Sequence, residues 1–211
     1  MVEEYDSIVR NSVWEIVPGS VGKSVVGSRW IYKVKKTADG SVEKYKARFF
    51  AQGFSQIEGI DYEETFAPVT WYYSIQTILS LSAHMGWHIH QMDVNNAFLN
   101  GIIEEEVYIE QPEGFEIFSN ESHLCRLKRA LYGLKQAPRS WYTRIDSYFT
   151  GLGFTKSEVD ANLYQIAVEG KLLIIVLYVD DLILTGDEQL IHSCKEDVAK
   201  EFEMKDLGLL H

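Results

Sequence analysis

Two adjacent carboxylates, Asp180 and Asp181, stand inside the most apolar stretch of the chain, LLIIVLYVDDLIL at 172–184. An unpaired charge buried in such a strand would cost several kcal/mol or more. A divalent cation with oxygen ligands would compensate both carboxylates. The alternative is a tight β-turn at 179–182 with an exposed tip, and the local sequence leaves both interpretations open.

A third carboxylate has a similar setting. Asp93 lies in WHIHQMDVNNAFLNG at 87–101, a segment that is mostly apolar around the acid. If this strand lies beside the first one, Asp93 meets Asp180 and Asp181. Three converging carboxylates resist simultaneous ionisation unless metal charge is supplied. That arrangement is required for two-metal phosphoryl transfer, in which two ions hold the attacking and leaving oxygens in line.

A basic hairpin is predicted near the start of the chain. Residues 28–36 alternate apolar and basic side chains, a turn signal follows at 37–40, and residues 42–51 alternate again. The period of a strand places Lys33 and Lys35 on one face, and the partner strand presents the basic side chains Lys44, Lys46 and Arg48 in the same way. Each of these could equally decorate a solvated strand face.

The remaining elements follow from periodicity, caps and turn residues. We expect a helix over 69–85 that ends at Gly86, a helix that begins at Pro138 and a last helix capped by Asp187. The expected strands cover 88–99, 107–110, 162–168 and 171–184. This order indicates an α+β fold with an antiparallel sheet rather than a doubly wound fold.

Charge is distributed unevenly along the chain. The formal net charge is −11, yet residues 23–48 hold eight basic and two acidic residues. Residues 122–145 hold six basic residues and no acidic one. The two windows indicate either a positive surface for nucleic acid or ordinary solvated faces.

Several features exclude other classes of protein. Cys125 and Cys194 have no metal-ligand or redox spacing. No secretory signal follows Met1, and no apolar run is long enough to span a membrane. We therefore expect an intracellular protein without membrane partners.

A series of motifs resembles those of copia-type retrotransposon reverse transcriptases, the RNA-directed DNA polymerase domains of Pol polyproteins. The resemblance covers essentially the whole chain, in order and with the spacing of the family. The segments that carry it are Trp14-Glu15, 29–35, Lys46-Ala47-Arg48, Ala51-Gln52-Gly53-Phe54, Gln91-Met92-Asp93-Val94, 97–101, 131–139, Tyr178-Val179-Asp180-Asp181 and 204–208.

The resemblance implies the fingers and palm of a right-hand polymerase, with an antiparallel palm sheet packed on helices. It implies one reverse transcriptase domain fragment over 1–211, with fingers at about 1–87 and 102–134 and palm at about 88–101 and 135–211. The family continues past the position of His211 into a thumb and an RNase H domain. We therefore expect that thumb and RNase H are missing from this fragment.

The same resemblance assigns roles to particular residues. Asp93, Asp180 and Asp181 are the implied catalytic metal ligands, with the Val94 carbonyl beside them. Phe98 is the implied steric gate against a ribose 2′-hydroxyl, although spacing alone fits an ordinary core aromatic equally well. The other implied nucleotide contacts are Lys35, Lys46, Arg48, Gly133 and Gln136, and the implied template or primer contacts are Tyr178, Lys135 and Arg139.

The implied reaction is two-metal nucleotidyl transfer from a dNTP to a primer 3′-hydroxyl, with two Mg²⁺ ions or alternatively Mn²⁺. Its partners are an RNA template, a DNA or tRNA primer, dNTPs and the rest of a Pol polyprotein, including thumb, RNase H and integrase. A cytoplasmic virus-like particle or the nucleus is the expected location. Two alternatives stay open: an inactive retroelement remnant with residual nucleic-acid binding, and another two-metal phosphoryl enzyme such as a nuclease.

Overall fold

The computed structural model describes residues 1–19, 24–117 and 123–210. Lys23 and Ser122, which open the two basic windows, lie outside the described residues. By its contacts the chain divides into two compact units. The first combines Met1–Phe66 with Phe98–Trp141, and the second combines Ala67–Ala97 with Tyr142–His211.

The described residues form an α+β fold, as the order of elements predicted. The α-helices are α1 (Val2–Arg10), α2 (Tyr72–Met85), α3 (Ala137–Gly151) and α4 (Glu188–Glu201). The strands are β1 (Trp14–Pro18), β2 (Val25–Val26), β3 (Ser28–Lys36), β4 (Val42–Ala51), β5 (Ile89–Val94), β6 (Tyr108–Ile109), β7 (His123–Leu127), β8 (Thr155–Lys156), β9 (Leu163–Val168), β10 (Lys171–Tyr178), β11 (Asp181–Gly186) and β12 (Met204–Leu209). Short 3₁₀ turns cover Gly53–Ser55 and Ala97–Asn100.

The first unit contains a four-stranded sheet in the order β1-β7-β6-β2 and the separate hairpin β3-β4. Its apolar core includes Ile8 of α1, Phe49 of β4 and Leu131. Trp30 packs on Phe49 with ring centroids 5.0 Å apart. The hairpin is therefore anchored by its apolar face, which leaves the opposite face for its basic residues.

The basic hairpin is confirmed, with the predicted bounds for both strands. Its register places Lys33 opposite Lys46 and Lys35 opposite Lys44. Directly opposed side chains of an antiparallel pair lie on one face, and like charges at such positions repel each other. The first unit therefore carries a basic strip of closely spaced positive charges, formed by Lys33, Lys35, Lys44 and Lys46.

The second unit is built on a six-stranded antiparallel sheet in the order β12-β5-β11-β10-β9-β8. Helix α2 covers one face, where Ile78 packs with Ile174 and Val176. On the other face Phe149 of α3 packs on Tyr164, with ring centroids 5.1 Å apart. Strand β10 is therefore buried on both faces, which explains why its sequence is an unbroken apolar run.

The prediction of one strand over 171–184 is wrong. Strand β10 ends at Tyr178, Val179 and Asp180 form a turn, and β11 begins at Asp181. The turn alternative is correct in its location. The left-handed conformation of this turn is taken by Val179, with φ +58°. Glycine or asparagine usually occupies such a position, and neither is present here to mark the turn in the sequence.

Other boundaries also differ from the prediction. Helix α2 begins at Tyr72 and not at 69, because the backbone of the N-cap residue Trp71 is extended. It ends at Gly86, as predicted, with φ +68°. Strand β5 ends at Val94, before Asn96 turns the chain with φ +53°. Helix α1 and strand β12 were not predicted.

Helix α4 begins where the sequence predicted. The Asp187 carboxylate accepts hydrogen bonds from the backbone N–H groups of Gln189 and Leu190, at 3.0 and 3.2 Å. This is the usual way in which an aspartate satisfies the open N–H groups of a first helical turn. None of the helices in the described ranges is long and apolar enough to cross a membrane.

Candidate active site

The three candidate aspartates are neighbours in the sheet of the second unit. Strands β5 and β11 pair with Asp93 directly opposite Asp181. The Val94 N–H donates to the Asp180 carbonyl at 2.8 Å, which joins the turn to the end of β5. All three aspartates are half-buried. Their adjacency is thus fixed by backbone hydrogen bonds.

A fourth side chain orients one of these carboxylates. Gln91 donates from Nε2 to Oδ1 of Asp181 at 3.1 Å. Gln91 was not singled out as a site residue, although it stands two positions before Asp93 and therefore on the same face of β5. On the other side, Lys205 of β12 is paired with Asp93 in the register. The row Lys205, Asp93 and Asp181 crosses three adjacent strands.

The turn that carries Asp180 is strained and open to solvent. Val179 is β-branched, and such residues are rarely found at positive φ. Tyr178 and Val179 are 45% and 44% exposed. The carboxylates therefore stand at the rim of the apolar layer rather than in the middle of a strand. Strained residues that persist often belong to functional sites.

The donor set suits a hard divalent cation. Carboxylates, together with a backbone carbonyl such as that of Val94, are the oxygen ligands that Mg²⁺ and Mn²⁺ accept. In the part of the chain that the structure describes, no three His, Cys, Asp or Glu side chains are gathered into a group that could hold an ion as they stand. The backbone brings the aspartates together, and side-chain rotation would have to complete the site.

Two implied nucleotide contacts of the first unit meet on one aromatic ring. The Arg48 guanidinium lies 4.4 Å from the centroid of the Tyr132 ring. The Phe98 ring meets the same ring edge-on, with centroids 5.3 Å apart. Phe98 is half-buried and packs against the core of this unit. Tyr132 was missed as a candidate, although it lies within the motif at 131–139.

The two lysines implied as nucleotide contacts differ in exposure. Lys35 is exposed near the tip of the hairpin, whereas Lys46 is half-buried in β4. Glu4 of α1 is 7% exposed, and its carboxylate interacts electrostatically with Lys46 and Arg48. Burial nevertheless raises the pKa of Glu4 above its ordinary value of 4.5. Glu4 of α1 therefore lies where its carboxylate can offset part of the positive charge of Lys46 and Arg48.

Two motif glycines lie backbone to backbone in the first unit. A Cβ on Gly133 would lie 2.2 Å from the Ala51 carbonyl oxygen, and one on Gly53 would lie 2.0 Å from the Gly133 carbonyl oxygen. Gly133 also has φ +92°, which favours glycine. Its role in this structure is the close approach of two chain segments that the sequence separates by 80 positions.

Gln136 is 1% exposed, and its amide is held within the protein. Its Oε1 accepts from Gln56 at 3.0 Å, and its Nε2 donates to the Asp61 carbonyl at 3.0 Å. The ammonium group of Lys135 donates to the Gln56 carbonyl at 3.2 Å and to the Tyr62 hydroxyl at 3.1 Å. The structure thus places these two residues in an internal network of the first unit.

Arg139 lies on the surface of the first unit. Its guanidinium is 3.5 Å from Glu64, and both side chains are about half exposed. An exposed pair of this kind is weak and readily exchanged for another anion. Both cysteines are buried, and burial raises the pKa of Cys125 and of Cys194 to about 12.

The chain is similar to known retroelement proteins along its whole length. The model of the family described as reverse transcriptase (RNA-dependent DNA polymerase) matches residues 11–211. The chain is 43% identical to the retrovirus-related Pol polyprotein from transposon TNT 1-94 of Nicotiana tabacum, over 99% of the chain and 16% of that protein. For transposon RE1 of Arabidopsis thaliana the identity is 39%, over 100% of the chain and 14% of that Pol polyprotein.

A more distant similarity connects the chain to yeast. It is 32% identical to the transposon Ty1-ER2 Gag-Pol polyprotein of Saccharomyces cerevisiae, over 89% of the chain and 10% of that protein. The chain thus spans about a sixth or less of the length of these relatives. The resemblance to copia-type retrotransposon enzymes is confirmed, and the chain belongs to the reverse transcriptase (RNA-dependent DNA polymerase) family.

Proposed function

We propose that this chain forms the fingers and palm of a copia-type RNA-directed DNA polymerase, which transfers nucleotides from dNTPs to a primer 3′-hydroxyl. The observation that carries the proposal is the pairing of Asp93 with Asp181, with Asp180 joined to the same edge through Val94. The division into fingers at about 1–87 and 102–134 and palm at about 88–101 and 135–211 belongs to the proposal.

Asp93, Asp180 and Asp181, with the Val94 carbonyl, would hold two Mg²⁺ ions, with Mn²⁺ as the alternative. Bound ions would supply the positive charge that stabilises the transferred phosphoryl group and the attacking oxygen. Gln91 holds Asp181 through one oxygen and leaves the other oxygen to accept a ligand. Because the three aspartates are half-buried, each charge interaction would be stronger than in bulk water.

The residues of the first unit would bind the incoming nucleotide. Lys35, Lys46 and Arg48 would contact the triphosphate, and the guanidinium of Arg48 offers paired donors that suit phosphate oxygens. Phe98, supported by Tyr132, would act as the gate against the 2′-hydroxyl. Gly133 and Gln136 are also proposed as nucleotide contacts. The Gln136 side chain would contribute indirectly, because its hydrogen bond with Gln56 holds the nearby backbone in place.

The proposed partners are an RNA template with a DNA or tRNA primer, contacted by Tyr178, Lys135 and Arg139. Tyr178 is exposed beside the carboxylates, where its ring could support a primer base. In an intact element, the chain would act within a Pol polyprotein that also carries thumb, RNase H and integrase. A virus-like particle in the cytoplasm, or the nucleus, is the proposed location.

Primer extension on an RNA template tests the function, with Mg²⁺ or Mn²⁺. The assay compares this 211-residue chain with a version extended through thumb and RNase H. Asp93→Asn, Asp180→Asn and Asp181→Asn should each reduce extension by about a hundredfold or more, since each removes charge from the reacting centre. Asp197→Asn, in a surface pair with Lys200, is the control and should extend normally.

Full extension by any of the three site variants would overturn the carboxylate assignment. If neither the 211-residue chain nor its extended version extends a primer, but both bind RNA, the alternative of an inactive retroelement remnant is correct. Cleavage of the template without extension, dependent on the same aspartates, would instead support a nuclease.

A further inference from the structure

The strand that leads into the carboxylate turn is held in an unusual way at its end. Pairing between β9 and β10 runs only as far as Leu163 opposite Val176. The next residue, Leu177, is 2% exposed, so its backbone groups still need partners. Its N–H donates to the Asn162 carbonyl at 2.9 Å, and its carbonyl accepts from the Thr70 hydroxyl at 2.5 Å. The Thr70 hydroxyl thus supplies the hydrogen-bond donor that β9 does not provide to the Leu177 carbonyl.

One carboxylate connects the two chain segments that supply the partners of Leu177. Asp160 accepts from the Trp71 N–H through Oδ2 at 3.0 Å and from the Asn162 N–H through Oδ1 at 3.0 Å. Asp160 is 4% exposed, and Thr70 is 6% exposed. A buried carboxylate with two N–H donors strongly fixes the segments that supply them. The start of α2 and the start of β9 are therefore tied together on Leu177.

The position of Leu177 controls the carboxylates because the chain between them is very short. Only Tyr178 and Val179 separate Leu177 from Asp180. Val179 is held at φ +58°, a conformation that persists only where the surroundings enforce it. Catalytic constellations tolerate displacements of only about 0.5 Å. A shift of the β10 end would therefore move Asp180 away from its contact with the Val94 N–H.

We propose that Thr70 and Asp160 are positioning residues for the metal-binding carboxylates. They hold the end of β10 so that the strained turn presents Asp180 and Asp181 beside Asp93. The inference rests on the proposed function for its consequence in metal binding, but the positioning of the turn can be measured without any metal. Neither Thr70 nor Asp160 lies within the polymerase motifs singled out in the sequence.

A matched control exists in the same sheet. Thr185 is 0% exposed and stands near the far end of β11 from Asp181. Its hydroxyl contacts that of Ser82 at 2.8 Å and donates to the His88 carbonyl at 2.9 Å. Thr185→Val therefore removes a hydroxyl that is buried and hydrogen-bonded like that of Thr70, at a position away from the turn.

Two measurements on the full 211-residue chain test the proposal. The first is amide hydrogen exchange of Val94 by NMR without metal, since this N–H donates to Asp180. The second is a Mn²⁺ titration followed by electron paramagnetic resonance. The variants are Thr70→Val, Thr70→Ser and Asp160→Asn, with Thr185→Val as the control and Asp180→Asn as the variant that lacks a ligand.

Thr70→Val should speed Val94 exchange by about five- to tenfold, the factor that one net hydrogen bond carries. It should weaken Mn²⁺ binding by about tenfold, the lower end for residues that orient ligands. Thr70→Ser keeps the hydroxyl and should restore both values to within about twofold of wild type. Asp160→Asn should resemble Thr70→Val, and Thr185→Val should change neither value.

Equal effects of Thr70→Val and Thr185→Val would overturn the proposal, because they would reduce Thr70 to a general contribution to stability. If Thr70→Val does not fold, Asp160→Asn and Thr70→Ser decide by the same criteria. If wild type and Asp180→Asn bind Mn²⁺ equally weakly, the proposed metal site fails. The Val94 exchange data then still decide whether Thr70 and Asp160 position the turn.

Discussion

Gln91 and Asp181 are joined by a side-chain hydrogen bond of 3.1 Å across the strand pair β5 and β11. The bond engages Oδ1 of Asp181, and under the proposed function the second oxygen, Oδ2, would bind a metal ion. Residues that orient metal ligands in this way typically contribute a factor of about 10–100 to metal affinity.

Gln91→Leu should therefore weaken Mn²⁺ binding by about tenfold while the fold is kept. The measurement is the same Mn²⁺ titration, together with urea unfolding to verify folding. Gln165→Leu is the control, because Gln165 is exposed on β9 of the same sheet. Equal affinities for both variants and wild type would contradict the orienting role of Gln91.

Gly133→Ala should destabilise the chain by about 3 kcal/mol. The added methyl would overlap the Ala51 carbonyl oxygen, and the residue would keep a positive φ that alanine disfavours. Equilibrium unfolding in urea measures the effect. Gly151→Ala, with open space around the Cβ in the last turn of α3, should be neutral or stabilising by up to about 1 kcal/mol. Similar unfolding midpoints for the two variants would show that the close approach is absent in solution.

Gln136→Leu should cost about 2–4 kcal/mol, because the buried Nε2 donor of Gln56 and the Asp61 carbonyl both lose the hydrogen bond that Gln136 makes to them. The double variant with Gln56→Leu should cost less than the sum of the two single variants. We expect a coupling energy of about 1–2 kcal/mol for side chains in direct contact. Strict additivity would mean that the two glutamine side chains do not interact.

The stability of the first unit should depend on pH through Glu4. Burial raises the pKa of this carboxyl above 4.5, although Lys46, Arg48 and a backbone hydrogen bond with Phe49 oppose the shift. The folded state therefore binds the proton more tightly than the unfolded state, and this contribution is lost as pH rises through the raised value. Relative to Glu4→Gln, the wild-type chain should lose stability between pH 4 and pH 7.

Urea unfolding of both proteins across this pH range measures the difference. Glu3→Gln, at an exposed position of the same helix that pairs with Lys44 at 3.2 Å, is the control for removing one acidic charge. A stability difference that stays constant with pH would show that Glu4 does not titrate abnormally.

Local patterns in the sequence were sufficient for several elements. The bounds of β3 and β4 follow from the alternation of apolar and basic residues around a turn signal, and the start of α4 follows from the Asp187 cap. The reason is physical, since these features depend on residues at most four positions apart. The family resemblance further identified Asp93, Asp180 and Asp181 as candidates, and apolar runs marked the two segments in which they stand.

Only the tertiary structure decided how those residues are held. The register that sets Asp93 opposite Asp181 joins positions 88 residues apart, and no local pattern encodes it. The turn at Val179 was hidden because burial on both faces of β10 removes the alternation that marks a strand end. The hydrogen bond from Thr70 to Leu177 likewise joins residues far apart in the sequence. Strand β9 begins only at Leu163, so it supplies no donor to the buried Leu177 carbonyl, which must find its donor elsewhere in the fold.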